Sequence, residues 1–286
     1  MLVLLNRIIL TIFISAVSFS AFSEEMNTNY LKTDWSFKGI FGTFDRASLQ
    51  RGYQVYQEVC SGCHSVQHLS YRNLSEKGGP EFSVEEAKAI AAQFEVEDGP
   101  NSDGEMFMRP GRLSDTFVKP YPNVEASTAA NGGAYPPDMS VLTKARKGGA
   151  DYIYSLLLGY EEAPTGFELD EGVYYNKYMP GNKIKMMSPL SDGLVEYSGG
   201  TPSTTAQMAK DVTAFLVWVA EPHLESQHRM GFKSIIYLII LFILVYMSKQ
   251  KVWSRFGSKK EPEEETFDKV ERAVTEYEGE DPKTFK

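Results

Sequence analysis

The sequence predicts a mainly α-helical domain with long loops, followed by one transmembrane helix. Two segments, one early and one late in the chain, have apolar residues at helical spacing. Between them lie many turns that contain Gly and Pro, and neither an internal repeat nor a series of strands stands out. Near the C-terminus, Ile235 to Met247 contains no charged residue, which is typical of a helix that crosses a membrane.

The two main helices are predicted from caps and apolar stripes. Asp45 is an N-cap residue for a helix that leads to Cys60. Its stripe consists of Leu49, Tyr53, Tyr56 and Val59. The second helix opens at Thr201-Pro202 and ends at Glu221. Its stripe consists of Met208, Val212, Phe215, Leu216 and Val219. Shorter helices are predicted at Val84 to Phe94 and at Asp151 to Leu158.

Residues 1–23 have the pattern of a signal peptide. Arg7 gives a positive start, Ile8 to Val17 is mostly apolar, and Ala21-Phe22-Ser23 offers small residues at a cleavage site. The alternative is an uncleaved N-terminal anchor. Either version sends the following domain, residues 24–228, across the membrane.

The transmembrane helix is predicted at residues 231–248, with a buried core helix as the alternative. Positive residues are more frequent after it than before it. Lys249, Lys251, Arg255, Lys259 and Lys260 follow, whereas Arg229 and Lys233 precede. By the positive-inside rule, this pattern indicates a single-pass protein of a bacterial-type inner membrane, with a periplasmic domain and a cytoplasmic tail at residues 249–286.

The tail is basic at first and then acidic. Four of its apolar residues have helical spacing, namely Phe267, Val270, Val274 and Tyr277. The tail is therefore interpreted as a short helix that docks a partner, with a disordered segment as the alternative.

Composition limits the classes of function. The chain has 286 residues, 42% of them apolar, and a formal net charge of −9. No nucleic-acid partner is expected, because phosphate binding needs clustered Lys and Arg; cationic proteins are better partners. The only two cysteines, Cys60 and Cys63, lie in one motif rather than at the spacings of a disulfide framework.

Cys60-Ser61-Gly62-Cys63-His64 has the spacing of c-type haem attachment. In this chemistry both thiols bond to the porphyrin and the histidine nitrogen binds the iron. One covalently bound haem c would also fill the space that long loops leave in a compact domain. The alternatives are a redox-active dithiol, which would follow a strand, and a structural zinc site, which needs further ligands.

A haem that only transfers electrons needs a sixth iron ligand, and methionine sulfur gives a higher reduction potential than a second histidine. His68 follows His64 by one helical turn, and the other two histidines lie beside the transmembrane segment. A methionine is therefore expected. Met186 and Met187 are both candidates, in an irregular stretch before the second main helix.

Longer strings accompany the motif. They are Phe41-Gly42-Thr43-Phe44-Asp45, Leu49-Gln50-Arg51-Gly52-Tyr53-Gln54-Val55-Tyr56, Tyr71-Arg72-Asn73-Leu74, Met106-Phe107-Met108-Arg109-Pro110-Gly111-Arg112-Leu113-Ser114-Asp115, Pro120-Tyr121-Pro122-Asn123 and Ala129-Ala130-Asn131-Gly132-Gly133-Ala134-Tyr135-Pro136-Pro137-Asp138. From about residue 35 to residue 255 the chain resembles the cytochrome c1 family, the haem c subunit of ubiquinol:cytochrome c oxidoreductase. It has no cysteine for the additional disulfide of some members, and its tail is longer than usual for the family.

The resemblance implies a cytochrome c-like haem domain in which His64 and Met186 are the axial iron ligands. It also implies that Arg146 pairs with a haem propionate and that Tyr152 lies close to the same group, since a guanidinium offers a fork of donors to a carboxylate. The pocket wall that it implies consists of Asn131, Ala134, Pro136 and Pro137.

By the same resemblance, the chain is expected to pass electrons from a Rieske iron-sulfur protein to a cytochrome c, in a dimeric complex with cytochrome b. Quinol oxidation would occur on partner subunits, so the chain alone is an electron carrier. Acidic runs at Glu95 to Glu105 and Glu161 to Glu171 would steer a basic cytochrome c, or simply form a solvated face. Rival functions are a membrane-tethered carrier without such a complex, a haem enzyme with an open sixth position, and a structural metal-binding module.

Overall fold

A computed structural model describes residues 29–256, together with residues 269, 271 and 272. The predicted signal peptide, residues 1–23, lies outside the described residues, and so does the predicted apolar stripe of the tail. The chain divides into two compact units, one ending at Gln227 and the other beginning at His228.

Helices form most of the regular structure, so the mainly α-helical prediction is confirmed. They are α1 (Arg46–Val55), α2 (Val84–Ala91), α3 (Val124–Ala130), α4 (Leu142–Ala145), α5 (Gly149–Leu158), α6 (Thr205–Ala220) and α7 (Leu224–Trp253). A π-helical turn (Tyr56–Cys60) extends α1, and 3₁₀ turns lie at Tyr71–Ser75 and Pro180–Asn182. The two shorter predicted helices correspond to α2 and α5, although α2 ends three residues before Phe94.

Two small antiparallel sheets lie in the loops. β1 (Glu95–Asp98) pairs with β2 (Phe107–Pro110), and β3 (Tyr174–Tyr175) pairs with β4 (Lys183–Ile184). The sequence did not reveal them, because strands of two to four residues are too short to show an alternating pattern.

α1 begins with the predicted cap chemistry and leads to the motif. The Asp45 carboxylate accepts hydrogen bonds from the backbone N–H groups of Ala47 and Ser48, at 3.0 and 3.4 Å. The helix then passes into the π-helical turn, whose last residue is Cys60. The prediction of a helix that delivers the chain to Cys60 is therefore confirmed.

α6 ends where predicted but begins later. The Thr204 hydroxyl accepts a hydrogen bond from the Gln207 N–H at 3.2 Å, so the N-cap is Thr204. The prediction that the helix opens at Thr201 is wrong, because the cap lies three residues further along the chain. All five residues of the predicted stripe are buried, with Phe215 completely inaccessible.

α1 and α6 cross at Gly52, where the two backbones come close. A Cβ atom on Gly52 would lie 2.1 Å from the Asp211 carbonyl oxygen and 2.8 Å from the Cβ of Phe215. A larger residue would therefore force the helices apart. At the same crossing the rings of Tyr56 and Phe215 stack, with centroids 5.6 Å apart. Because Tyr56 opens the turn that ends at Cys60, this packing places the motif on the helix pair.

A buried carboxylate joins these two helices. Asp211 is completely inaccessible to solvent, and Arg51 donates to both of its oxygens, at 2.8 Å from Nε and 2.9 Å from Nη2. The Ser48 hydroxyl and the Gln207 amide donate to it at 2.7 and 3.0 Å. The Arg51 guanidinium also lies over the Tyr197 ring, 5.7 Å from its centroid. The buried charge is thus paired and hydrogen-bonded, as a low-dielectric interior requires.

A second buried carboxylate holds the N-terminal segment, residues 29–45, on α5. Lys32 and Lys38 form ion pairs with Asp151 at 3.3 and 3.2 Å, and the Trp35 indole N–H donates to it at 2.6 Å. Burial pushes the pKa of Asp151 upward. The hydrogen bonds from Trp35, Lys38 and Lys32 outweigh that effect, so this pKa lies below its ordinary value of 3.8.

In the part of the chain that the structure describes, one helix is long and apolar enough to cross a membrane. It is α7, which contains the whole predicted transmembrane segment, residues 231–248. Its apolar side chains from Ile235 to Met247 are exposed, which disfavours the alternative of a buried core helix. Its first turn, in contrast, belongs to the first compact unit, where Leu224 is buried.

Asp211→Asn is expected to lower the free energy of unfolding by about 3 kcal/mol, because the largely buried Arg51 guanidinium loses its charge partner. The measurement is the denaturant midpoint of the full chain in detergent, followed by helical circular dichroism. The control is Asp170→Asn, which removes an exposed pair with Lys183 and should cost at most about 1 kcal/mol. Equal losses in both variants would contradict the role of Asp211.

Asp151→Asn is expected to destabilise the chain at neutral pH but not in acid. A carboxylate whose pKa is lowered by folding stabilises the fold above its unfolded-state pKa, near 3.8, and this contribution is lost as the pH falls through the folded-state pKa. Denaturant titrations of wild type and variant should therefore converge as the pH falls. Asp34→Asn, at an exposed site in the same segment, is the control. A difference that stays constant with pH would refute the Asp151 contribution.

Candidate haem-binding site

The motif folds back on itself directly after α1. The Ser61 N–H donates to the Tyr56 carbonyl at 2.8 Å, and the His64 N–H donates to the Cys60 carbonyl at 2.9 Å. The Cys63 N–H also donates to the Cys60 carbonyl, at 3.1 Å. These backbone bonds hold the two cysteines and the histidine on one compact turn.

Cys60 and Cys63 are free thiols, the first half-buried and the second exposed. Burial, together with the neighbouring Cys63, raises the pKa of Cys60 to about 12. A redox-active dithiol needs a thiol pKa that is lowered, and it is expected to follow a strand. The raised pKa and the preceding helix both disfavour that alternative.

A backbone carbonyl orients the His64 ring. His64 Nδ1 lies 2.8 Å from the Pro137 oxygen, and because a carbonyl only accepts, Nδ1 carries the proton. Burial lowers the pKa of His64 below 6.5, against the opposing effects of Pro137 and Asp138. The imidazole is thus neutral at neutral pH, and Nε2 keeps the lone pair with which histidine binds a metal.

Asp138 fixes the segment that carries Pro137 against the residues after the motif. Its carboxylate accepts hydrogen bonds from the Ser65 hydroxyl at 2.7 Å, from the Gln67 N–H at 3.1 Å and from the Ser140 N–H at 2.9 Å. Burial raises the pKa of Asp138, but the bonds from Ser140 and Ser65 outweigh it, so the carboxylate stays ionised. Sequence reasoning did not single out Asp138 as a site residue, although it directly follows the paired prolines.

The predicted pocket residues share one irregular segment after α3. They are Asn131, Ala134, Pro136 and Pro137. The Asn131 amide donates to the Ser127 carbonyl at 2.7 Å, and the Ala134 N–H donates to the Asn131 carbonyl at 3.0 Å. Pro136 lines a recess together with Cys63. The structure therefore brings this segment to the motif.

Two open recesses border the motif, and Lys119 and Pro120 line both of them. The one beside Tyr56 and Gly62 has a volume of about 260 Å³. The rings of Tyr71 and Phe117, stacked with centroids 4.7 Å apart, form part of its apolar wall. Sequence reasoning used Tyr71 and Pro120 only as parts of the family pattern, since no spacing rule connects these residues to the motif.

Arg146, which directly follows α4, lies beside Tyr152 in the first turn of α5. The Arg146 side chain is exposed, and its Nη1 donates to the Ala145 carbonyl at 3.2 Å. Burial raises the pKa of Tyr152, and the nearby Arg146 partly opposes this. The Tyr152 hydroxyl donates to the Met179 sulfur at 3.7 Å. An exposed guanidinium beside a phenol offers hydrogen-bond donors to a carboxylate such as a propionate.

The two candidate methionines differ in exposure. Met186 is half-buried, and its carbonyl accepts a hydrogen bond from the Tyr160 hydroxyl at 3.1 Å, whereas Met187 is 65% exposed. The neighbouring Lys185 donates to the Gly132 carbonyl at 3.2 Å. This bond holds the methionine loop against the segment that carries the predicted pocket wall.

The described residues contain no group of three or more His, Cys, Asp or Glu side chains that could hold a metal ion. This finding disfavours the zinc alternative for that part of the chain. A neutral, oriented imidazole next to two free thiols is the donor set that covalent haem attachment requires. The residues present therefore fit haem c.

Comparison with known proteins places these features in a family. The sequence profile of the Cytochrome C1 family matches residues 35–256. Cytochrome c1-2, heme protein, mitochondrial, of Solanum tuberosum is 50% identical over 226 residues, which cover 79% of this chain and 86% of the relative. Cytochrome b-c1 complex catalytic subunit, mitochondrial, of Candida albicans is 47% identical over 228 residues, which cover 79% and 78%.

A bacterial relative is longer. Cytochrome b/c1 of Bradyrhizobium diazoefficiens is 50% identical over 239 residues, which cover 77% of this chain but 35% of the relative. The chain thus spans about a third of that protein's length. Since the family profile matches most of the chain and relatives near 50% identity extend over the same region, the chain belongs to the cytochrome c1 family.

Proposed function

We propose that the chain is the haem-carrying subunit of a cytochrome b–c1 complex and relays electrons from a Rieske iron-sulfur protein to a cytochrome c. The observation that carries the proposal is the hydrogen bond from His64 to Pro137, which presents a neutral imidazole beside two free thiols. Relatives named as heme proteins and as a subunit of the cytochrome b-c1 complex support it. The chain is thus a subunit of an oxidoreductase, and the chain itself has no quinol site.

Haem c, bound covalently through Cys60 and Cys63, supplies reversible one-electron transfer. His64 and Met186 are the proposed axial ligands. The exposure difference supports Met186 over Met187, because a side chain in solvent is poorly placed to reach a buried iron. A ligand at both axial positions leaves none for a substrate, as an electron carrier requires.

The remaining site residues act around this group. Asn131, Ala134, Pro136 and Pro137 form the pocket wall, in which the two prolines give a rigid apolar surface that excludes water and so raises the reduction potential. Asp138 holds that wall through Ser65 and Ser140. Arg146 would pair with a haem propionate by donating hydrogen bonds to it, and Tyr152 would lie close to the same group.

The proposed location is a bacterial-type inner membrane. α7 anchors the chain with a single pass, the haem domain lies on the periplasmic side and the C-terminus is cytoplasmic. The excess of Lys and Arg after the span supports this orientation. The complex is proposed to be dimeric and to contain cytochrome b and the Rieske protein.

Exposed carboxylates on the β1–β2 hairpin support a basic cytochrome c as the electron acceptor. Glu95 and Glu97 lie on β1, and Asp103 and Glu105 lie in the connecting loop; all four are exposed. A surface of one charge sign raises the association rate of an oppositely charged partner, and salt weakens this effect.

Met186→Leu is expected to abolish the weak far-red sulfur-to-iron absorption band of the oxidised protein and to lower its reduction potential, since the iron loses its thioether ligand. The matched control Met187→Leu should keep both properties. Optical spectra and potentiometric titration of the two variants, made with the haem attachment machinery, provide the measurement. Loss in Met187→Leu instead would assign the ligand to Met187. Persistence in both variants would contradict methionine ligation at this loop.

The tagged chain, purified from its own membrane in mild detergent, should bring with it a cytochrome b and a Rieske protein. The assembly should reduce cytochrome c with ubiquinol as the donor. Added salt should slow cytochrome c reduction, because it screens the acidic surface. A chain that purifies without these partners, yet delivers electrons to an oxidase, would instead be a tethered carrier.

A further inference from the structure

The loop that carries Met186 has little regular structure of its own. β4 ends two residues before Met186, and Met187 and Ser188, which follow it, are exposed. A hairpin of two strands is only marginally stable by itself, so the β3–β4 pairing constrains this loop weakly. The position of the Met186 backbone therefore depends on contacts with other parts of the domain.

One such contact comes from the residue that follows the C-cap of α5. This residue is Tyr160, and its hydroxyl donates to the Met186 carbonyl at 3.1 Å. Tyr160 and Met186 are both half-buried, which shields the hydrogen bond from part of the competing water. The two residues are 26 positions apart in sequence, so the bond joins the methionine loop to the end of a helix.

A buried asparagine fixes Tyr160 relative to the β3–β4 hairpin. Asn176 directly follows β3 and is completely inaccessible to solvent, and its amide donates to the Leu156 carbonyl of α5 at 2.8 Å. Tyr160 pairs with Asn176 as an isolated antiparallel β-bridge. The Lys177 N–H donates to the Gly159 carbonyl at 2.9 Å. The end of α5 and the hairpin are thus one hydrogen-bonded unit.

The packing at this junction is close. A Cβ atom on Gly159 would lie 2.6 Å from the Tyr178 ring and 2.7 Å from Asn176 Oδ1. The same Asn176 oxygen accepts a hydrogen bond from the Tyr178 N–H at 3.0 Å. Because the helix end and the hairpin leave so little space between them, the backbone of Tyr160 has a defined position from which its hydroxyl reaches the methionine loop.

We propose that Tyr160 is a positioning residue for Met186, because its hydrogen bond to the Met186 carbonyl holds the thioether where it can bind the haem iron. A ligand whose backbone is already ordered loses less conformational freedom on binding, so such an outer contact strengthens ligation. Lys185 holds the same loop through the Gly132 carbonyl, but its side chain is exposed, so the Tyr160 bond is the better shielded of the two. The inference rests on the proposed function, since it needs Met186 to be an axial ligand.

The test compares three variants of the full, haem-loaded chain in detergent with wild type. Tyr160→Phe keeps the ring and removes the hydroxyl, and Tyr174→Phe, at a side chain on β3 that is 40% exposed, is the matched control. Met186→Leu removes the proposed ligand. The measurements are the affinity of the reduced protein for carbon monoxide, which binds the iron only where the sixth ligand leaves it, and the denaturant midpoints of the far-red band and of helical circular dichroism. Tyr160→Phe is expected to raise the carbon monoxide affinity about tenfold or more and to lose the far-red band before the helical signal, whereas Tyr174→Phe should behave as wild type.

The other outcomes each overturn a defined statement. A wild-type carbon monoxide affinity in Tyr160→Phe, together with a large increase in Met186→Leu, would refute the positioning role and leave methionine ligation intact. An equal increase in Tyr174→Phe, or a far-red band that disappears in step with the helical signal in Tyr160→Phe, would show a general effect on the fold and would also refute that role. A wild-type affinity in Met186→Leu would overturn the proposed ligation by Met186 itself.

Discussion

The close crossing of α1 and α6 at Gly52 positions the Cys60–His64 motif, because the motif follows α1 and its π-helical extension without a linker. The contact at 2.1 Å between a hypothetical Cβ and the Asp211 carbonyl oxygen shows how little room the crossing leaves. The same two helices share the buried Asp211 carboxylate, which Arg51 and Ser48 satisfy from α1. A change in the crossing of α1 and α6 would therefore have two effects. It would move the turn at Cys60, and it would separate the buried Asp211 carboxylate from Arg51.

The rest of the site comes from loops, and polar side chains, together with the short β3–β4 pairing, hold these loops in place. Asp138 connects the Pro137 segment to Ser65, and Lys185 connects the methionine loop to Gly132. Each of these bonds joins segments more than fifty residues apart in sequence. Such loops lose much chain entropy on closure and bury little apolar surface of their own. The proposed haem, bound between these loops, would offset that cost and would account for the long loops in this domain.

The parts of the site that the sequence predicted are those that depend on local order. In the proposed site, Cys60, Cys63 and His64 would act on one porphyrin from one turn, and that chemistry would fix their spacing in the chain. The cap at Asp45 and the buried stripe of α6 are local for the same reason. In contrast, Asp138 acts only after distant segments have come together, and no spacing rule reveals it. The start of α6 was misplaced because Thr201 and Thr204 are both suitable caps, and only the fold selects between them.

The N-terminal segment connects the proposed propionate region to the remainder of the domain. The Tyr30 ring meets the Tyr152 ring edge-on, with centroids 5.4 Å apart. Gly148 makes room for this contact, since a Cβ atom there would lie 2.5 Å from the Tyr30 ring, and its φ of +95° also favours glycine. The Asp151 pairs with Lys32 and Lys38 keep the segment in place. Tyr152 directly follows Asp151. The position of Tyr152 in the proposed propionate region therefore depends on Tyr30 and Lys32, which lie only a few positions after the predicted signal peptide.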